Sequence, residues 1–267
     1  MISFLSIIAV GFFLGMRHAT DPDHVIAVTT IVSRQRNLLR AALTGIVWGI
    51  GHTLTIFVVG SAIILFDVVI PARIGLSMEF SVGLMLIVLG AMNIASFMRT
   101  ARTIAPAAQE SDVVHSHPHV HGDFVHSHAH GHAPETHSHS HQTPLTWLDR
   151  IFGRIGLYQQ LRPLVIGIVH GLAGSAAVAL LILTTIRNPY WAMVYLLVFG
   201  AGTVGGMMLI TMSIASAFKF FGGRNEKFSH WLGFASGLLS LAFGLFLAYQ
   251  IGFANGLFSG HPQWTPR

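Results

Sequence analysis

The chain has 267 residues, 52% hydrophobic and only 9% charged, with a mean hydropathy of +0.64. Soluble globular proteins carry roughly 25% charged residues, so this is a membrane protein, and its formal charge of +5 is no sign of nucleic-acid binding. Cysteine is absent, which excludes disulfides, thiolate metal ligands and cysteine nucleophiles.

The N-terminal apolar run lacks a basic leader and an A-x-A cleavage site, so it reads as a retained helix. A spanning helix needs about 20 mostly apolar residues. Six stretches qualify: 2–32, 42–66, 77–98, 163–186, 190–218 and 231–254. The predicted fold is therefore an all-α integral membrane protein with six transmembrane helices.

The first span is too long and too polar for one simple rod. It contains "RHATDPDH", with Arg17, His18, Asp21, Asp23 and His24 between apolar flanks. Pro22 lacks an N–H and clashes with the carbonyl of residue 18, and it pushes Asp21 out of the α region. The helix is thus expected to break at Asp21–Pro22. Irregular backbone at membrane depth survives only where it is buried in protein or lines a wet cavity. In an unbroken helix His18 and His24 would stand about 240° apart, and the break lets them converge. Two imidazoles with Asp21 and Asp23 suit a first-row divalent cation such as nickel, cobalt or zinc. Arg17 would balance a carboxylate when the site is empty. The opposing reading is a structural knot, with Arg17 paired to Asp21 or Asp23 and the histidines merely hydrogen-bonded. A charge at mid-membrane costs at least about 2.5–3.5 kcal/mol, so five ionisable groups together favour function.

The second span carries His52 in "WGIGHTLTIF", and the fourth carries His170 in "GIVHGLAGSAA". Both are candidate ligands or path residues. Thr53, Asn93, Ser175 and Thr203 are weaker candidates for lining a path, and His230 and His261 are given no role. Between the third and fourth spans lies a histidine tract. His115, His117, His119, His121, His126, His128, His130, His132, His137, His139 and His141 occur there, mostly in H-x-H spacing. Such a tract binds metals by composition, and its few apolar residues predict disorder without ligand.

Basic residues set the orientation. Arg34, Arg36, Arg40, Arg99, Arg102, Arg150, Arg154, Arg162, Lys219, Arg224 and Lys227 fall on one side, against Arg73, Arg187 and Arg267 on the other. The positive-inside bias makes the histidine loop cytoplasmic and puts both termini outside.

Three segment pairs repeat in order. "GFFLGM" resembles "GIVHGL" at an offset of 156, "GIGHTLTI" resembles "GAGTVGGM" at 151, and "FSVGLMLIVLG" resembles "FASGLLSLAFG" at 154. Spans 1–3 are therefore predicted to recur as spans 4–6. Three is odd, so the two copies would be inverted, as in many secondary transporters. The expected organisation is a first repeat at 1–99, a cytoplasmic histidine loop at 100–160, a second repeat at 161–256 and a tail at 257–267.

His18, Asp23 and His24 form an H-x4-D-H motif, followed by "GHTLTI" at 51–56. With "WGIGHTLTI" and "HGLAGSAAVALL", these resemble the nickel/cobalt transporter family, in its shorter six-span branch of urease-accessory-type and high-affinity-nickel-type membrane proteins. The resemblance implies high-affinity transport of Ni2+ or Co2+, with His18, Asp23 and His24 essential and His52 tuning metal choice. It implies uptake ahead of efflux, a non-enzymatic protein, metal as cargo with no resident cofactor, and a cytoplasmic metallochaperone as candidate recipient. Partners would then be the metal ion and the lipid bilayer of the cell membrane, with no nucleic acid. Two rivals remain: a membrane metal sensor or metallochaperone acting through the loop, and an intramembrane metalloenzyme. The second lacks an H-E-x-x-H motif. An ATP-driven pump is disfavoured, since no G-x4-G-K-[ST] occurs.

Overall fold

The computed structural model describes residues 4–33, 35, 37–66, 70–103, 114–121, 124–131, 157–172, 186, 188–222, 226–259 and 261–264. Within them lie seven α-helices: α1 (Phe4–His18), α2 (Pro22–Val32), α3 (Leu38–Phe66), α4 (Ala72–Thr103), α5 (Leu157–Gly171), α6 (Pro189–Gly222) and α7 (Glu226–Tyr249). A short π-helical turn, Gln250–Ala254, extends α7. Helices dominate because in lipid each backbone N–H and C=O must be satisfied within its own segment. Four stretches are long and apolar enough to cross a membrane: Leu38–Phe66, Ala72–Met98, Pro189–Phe220 and Trp231–Ala254. α1, α2 and the apolar part of α5 are shorter. Residues 173–185 of the span predicted at 163–186 lie outside the described residues. α5 begins at Leu157 and carries Pro163 inside it.

The surface of these helices is apolar. Phe13, Val58, Val88, Leu197, Leu238 and Phe246 are all exposed, as expected of side chains that face hydrocarbon. Inside, α3 packs on α5 and α6, α1 packs on α6, and α4 packs on α7. One buried cluster joins Ala27, Val28, Val32, Trp48, Val82, Leu86 and Met207. A second joins Ile56, Ala192, Tyr195, Leu196 and Phe199.

The α4–α7 contact is reciprocal. A Cβ on Gly90 would meet the carbonyl oxygen of Gly237 at 2.7 Å, and one on Gly244 would meet that of Gly83 at 2.8 Å. Adding the offset of 154 to 90 gives 244, and subtracting it from 237 gives 83. Small residues at such crossings let the backbones touch.

Polar side chains stitch the same region together. Asn93 Nδ2 donates to Gly233 O at 3.0 Å and to Ser236 Oγ at 3.2 Å, while Ser240 Oγ donates to Leu86 O at 2.9 Å. Asn93 thus joins α4 to α7 and does not reach the histidines. Asn93→Ala is expected to lower stability by about 1 kcal/mol, within the range of interhelical hydrogen bonds in membranes. Thermal unfolding in detergent would measure this. A selective loss of metal flux without loss of stability would instead make Asn93 a path residue.

The histidine tract departs from expectation. Val114–His121 and Phe124–Gly131 form an antiparallel two-stranded hairpin, where disorder was predicted. H-x-H is a period-two pattern, and that is the period of a strand. Gly122 and Asp123 between the strands are a favoured two-residue hairpin pair in sequence terms. In register, His115 faces His130, His117 faces His128 and His119 faces His126. His132, His137, His139 and His141 lie outside the described residues. After the π-helical turn the chain reverses at Gly256, whose φ of +78° suits glycine. Beyond it, the Trp264 indole N–H donates to Glu79 Oε1 at 2.9 Å. The tail thereby lies against α4.

Candidate metal centre

The break between α1 and α2 brings the first ligand candidates together. α1 ends at His18, where Thr20 N–H donates to Arg17 O at 2.8 Å and Asp21 N–H to His18 O at 3.1 Å. Asp21 is extended, with φ −61° and ψ 145°, as the residue before a proline must be. Pro22 then opens α2, where its missing N–H would have had no intrahelical partner anyway. Val25 N–H closes the first turn onto Asp21 O at 3.0 Å. The irregular stretch is therefore 19–21, and it ends at Pro22 rather than starting there.

This turn folds His18 back over His24. Their ring centroids are 4.8 Å apart. His52 from α3 joins them, at 5.1 Å from His18 and 5.0 Å from His24. His170, at the end of α5, lies 4.1 Å from His24 and 6.0 Å from His52. His24, His52 and His170 are fully buried and His18 nearly so. Close approach by glycine makes the gathering sterically feasible. A Cβ on Gly171 would meet His52 O at 2.6 Å, so only glycine lets α5 come this near α3.

Two carboxylates hold the rings. Asp21 Oδ2 accepts from His18 Nδ1–H at 2.8 Å. Asp23 accepts from two imidazoles, His24 Nδ1–H at 3.1 Å on Oδ1 and His170 Nε2–H at 3.0 Å on Oδ2. His18 Nε2 and His52 Nε2 share a hydrogen bond of 2.9 Å. A neutral His18 that gives Nδ1–H to Asp21 has a bare Nε2, so His52 is the donor in that pair. Asp21 is about a third exposed and Asp23 much less so. Among the described residues, the ion pairs made by these carboxylates are all with histidines. Arg17 is exposed. Its expected part, balancing an aspartate, is taken by imidazole, because at the end of α1 its side chain leaves the cluster.

Among the described residues, three buried imidazole nitrogens have no hydrogen-bond partner, His24 Nε2, His52 Nδ1 and His170 Nδ1, and neither has the neighbouring Trp48 Nε1. Buried polar atoms left unpaired are costly, and three of them on adjoining rings leave those rings free to change tautomer when a ligand arrives. Two groups have the reach of a metal site, His18–His24–His52 and Asp23–His24–His170, with one ligand atom per residue within 4.8 Å of the others. Imidazole nitrogens with one carboxylate suit nickel, cobalt or zinc better than magnesium or calcium.

Two residues flank the cluster without having been singled out in the sequence. Trp48 stacks on His24 at 5.9 Å, and Phe199 lies 5.7 Å from His18. Each belongs to one of the two apolar clusters, so the histidines are enclosed between hydrocarbon walls. Trp48 was detectable, since in "WGIGH" it stands four residues before His52 on one helix face. Thr53 Oγ1 bonds Gly200 O and Thr203 Oγ1 bonds Phe199 O, so both are satisfied by backbone and not turned to the cluster. Ser175 and the side chain of His230 lie outside the described residues. His261 is exposed in the tail.

The high-affinity nickel-transport protein family model matches residues 4–251. The chain is also similar to the urease accessory protein UreH of Bacillus sp. (strain TB-90), with 35% identity over 257 residues, 96% of each chain. No solved structure matches it. A buried histidine–aspartate cluster among apolar helices, and a family match across nearly the whole length, lead to one conclusion: the chain belongs to the high-affinity nickel-transport protein family.

Proposed function

We propose that this multi-pass membrane protein is a nickel permease whose cargo binds at the α1–α2 break, through His18, Asp23, His24, His52 and His170. The observation that carries this reading is their convergence from four helices, in a place walled by Trp48 and Phe199. Asp21 assists by orienting His18. Carboxylate partners of ligating histidines fix the ring and raise its basicity. Co2+ is the proposed second cargo, since it shares this ligand preference.

The full architecture in this reading has six spans built from two inverted repeats, 1–99 and 161–256, with the loop 100–160 between them and the tail 257–267 after them. The packing supports it. α1 against α6 mirrors α5 against α3, and Gly90–Gly237 mirrors Gly244–Gly83. Both termini would lie outside and the histidine hairpin in the cytoplasm, following the basic residues.

We favour uptake. This follows the family resemblance, which implies uptake ahead of efflux. The hairpin and the other loop histidines would then trap arriving metal and hand it to a cytoplasmic metallochaperone. In the alternative, an efflux permease, the same loop would gather cytoplasmic metal for export. The direct test is radioactive nickel flux in proteoliposomes of known sidedness, with cobalt, zinc and manganese as competitors. Inward, cobalt-competed flux supports the proposal; flux only from the cytoplasmic face reverses its direction. Deleting residues 112–142 is expected to reduce net accumulation while leaving transport measurable. Complete loss of flux on that deletion would move the function from the helices to the loop.

A further inference from the structure

We infer that the histidine cluster is two overlapping metal seats sharing His24, and that cargo passes from one to the other by changing partners on that ring. The inference rests on the permease reading above and deepens it. His24 stands in the middle. Its ring is 4.8 and 5.0 Å from those of His18 and His52, and 4.1 Å from that of His170. The two groups with metal-site reach have only His24 in common.

The two nitrogens of His24 differ in their surroundings. Nδ1 faces Asp23, which also holds His170. Nε2 is buried and has no hydrogen-bond partner. A first seat then comprises His18 Nε2, His52 Nε2 and His24 Nε2, with no carboxylate. A second comprises Asp23, His170 Nε2 and His24 Nδ1, once the protons these two nitrogens give to Asp23 have moved to the unpartnered His170 Nδ1 and His24 Nε2. Two nitrogens each about 2.0–2.1 Å from a metal at a right angle lie about 2.9 Å apart. The His18–His52 pair already stands at 2.9 Å. A cation arriving there would displace the proton that His52 Nε2 shares with His18, and that proton would move to His52 Nδ1, which has no partner now.

Charge separates the seats. The first holds a dication with neutral imidazoles, while Asp21 touches it only through His18 Nδ1. The second places Asp23 directly on the ion. His24 serves one seat at a time, so one ion per chain is held and its departure from the first seat is coupled to arrival at the second.

The test uses the full chain with the eleven loop histidines, His230 and His261 changed to serine, so that only the four buried histidines take metal. Co2+ binding is read by visible absorption in detergent, and flux in proteoliposomes. The expected result is that His52→Ala and His170→Ala each still retain one Co2+ with different spectra, one carboxylate-containing and one all-imidazole. Both should lose flux by about 100-fold or more, beyond the 10–100-fold typical of losing an outer partner. His24→Ala should retain no Co2+ and pass none. Identical spectra and equal weakening in His52→Ala and His170→Ala would mean one seat, and would overturn the inference while leaving the permease intact. A parent chain that moves neither nickel nor cobalt would instead defeat the permease reading itself.

Discussion

Replacing His24 by alanine is expected to stop nickel transport while the protein remains folded in the membrane. The ring is fully buried, bonds Asp23, and lies within 5.0 Å of three other imidazoles. Its removal withdraws the ligand common to both candidate groups. His18→Ala and Asp23→Ala should do the same for different reasons. His18 bridges Asp21 and His52, and Asp23 is the acceptor for two histidines. Loss of flux should be at least about 100-fold, larger than the 10–100-fold seen when only an outer partner is lost. Each change leaves a buried partner unpaired, at about 1–3 kcal/mol, so flux has to be compared per molecule present in the membrane. Radioactive nickel uptake, normalised to protein in the membrane fraction, measures this. Wild-type rates in any of the three variants would remove that residue from the path.

The second large effect concerns assembly. Gly15→Val is expected to destabilise the helix bundle enough to deplete the protein from the membrane. A Cβ on Gly15 would lie 2.8 Å from Thr203 N and 3.0 Å from Phe199 C, with Phe199 O nearer still. These are backbone atoms of α6, so no side chain can swing away to relieve the clash. Overpacking typically costs about 1–3 kcal/mol, and a rigid contact of this kind belongs at or above the top of that range. Because α1 carries His18 at its end, displacement from α6 would also pull that ring from His52. Gly205 and Gly233 provide controls, since a Cβ there meets nothing within 4 Å. Membrane yield and thermal unfolding of Gly15→Val against Gly205→Ala and Gly233→Ala decide the matter. Equal yield and equal melting would show that α1 and α6 are not in contact as described.

The break in the first span was legible because proline acts locally. Pro22 dictates the extended Asp21 before it and starts α2, and both follow from one residue. The meeting of His18 with His24 follows in turn, since they flank the break. The partnership of His170 with Asp23 was not legible. It spans 147 positions and depends on how closely α5 approaches α3, which Gly171 controls. Sequence marked His170 as polar within a span but could not say what it touched. Arg17 goes the other way. Sequence proximity to two aspartates suggested pairing, whereas the helix end turns it outward and leaves the carboxylates to imidazoles. The loop was judged by its lack of apolar residues, and its two-residue histidine period carried the strand signal that composition hides. Of the two apolar walls, Trp48 was within reach of a sequence argument, four residues before His52. Phe199 was not, because it comes from α6 in the second half of the chain.

The most direct measurement is anomalous scattering at the nickel edge from crystals of the metal-loaded protein. The account predicts a peak inside the bundle, with nitrogen ligands from His24 and at least one of His18, His52 and His170 at about 2.0–2.1 Å. A peak confined to the histidine hairpin, with the rings of His18 and His24 turned apart and nothing between them, would contradict it.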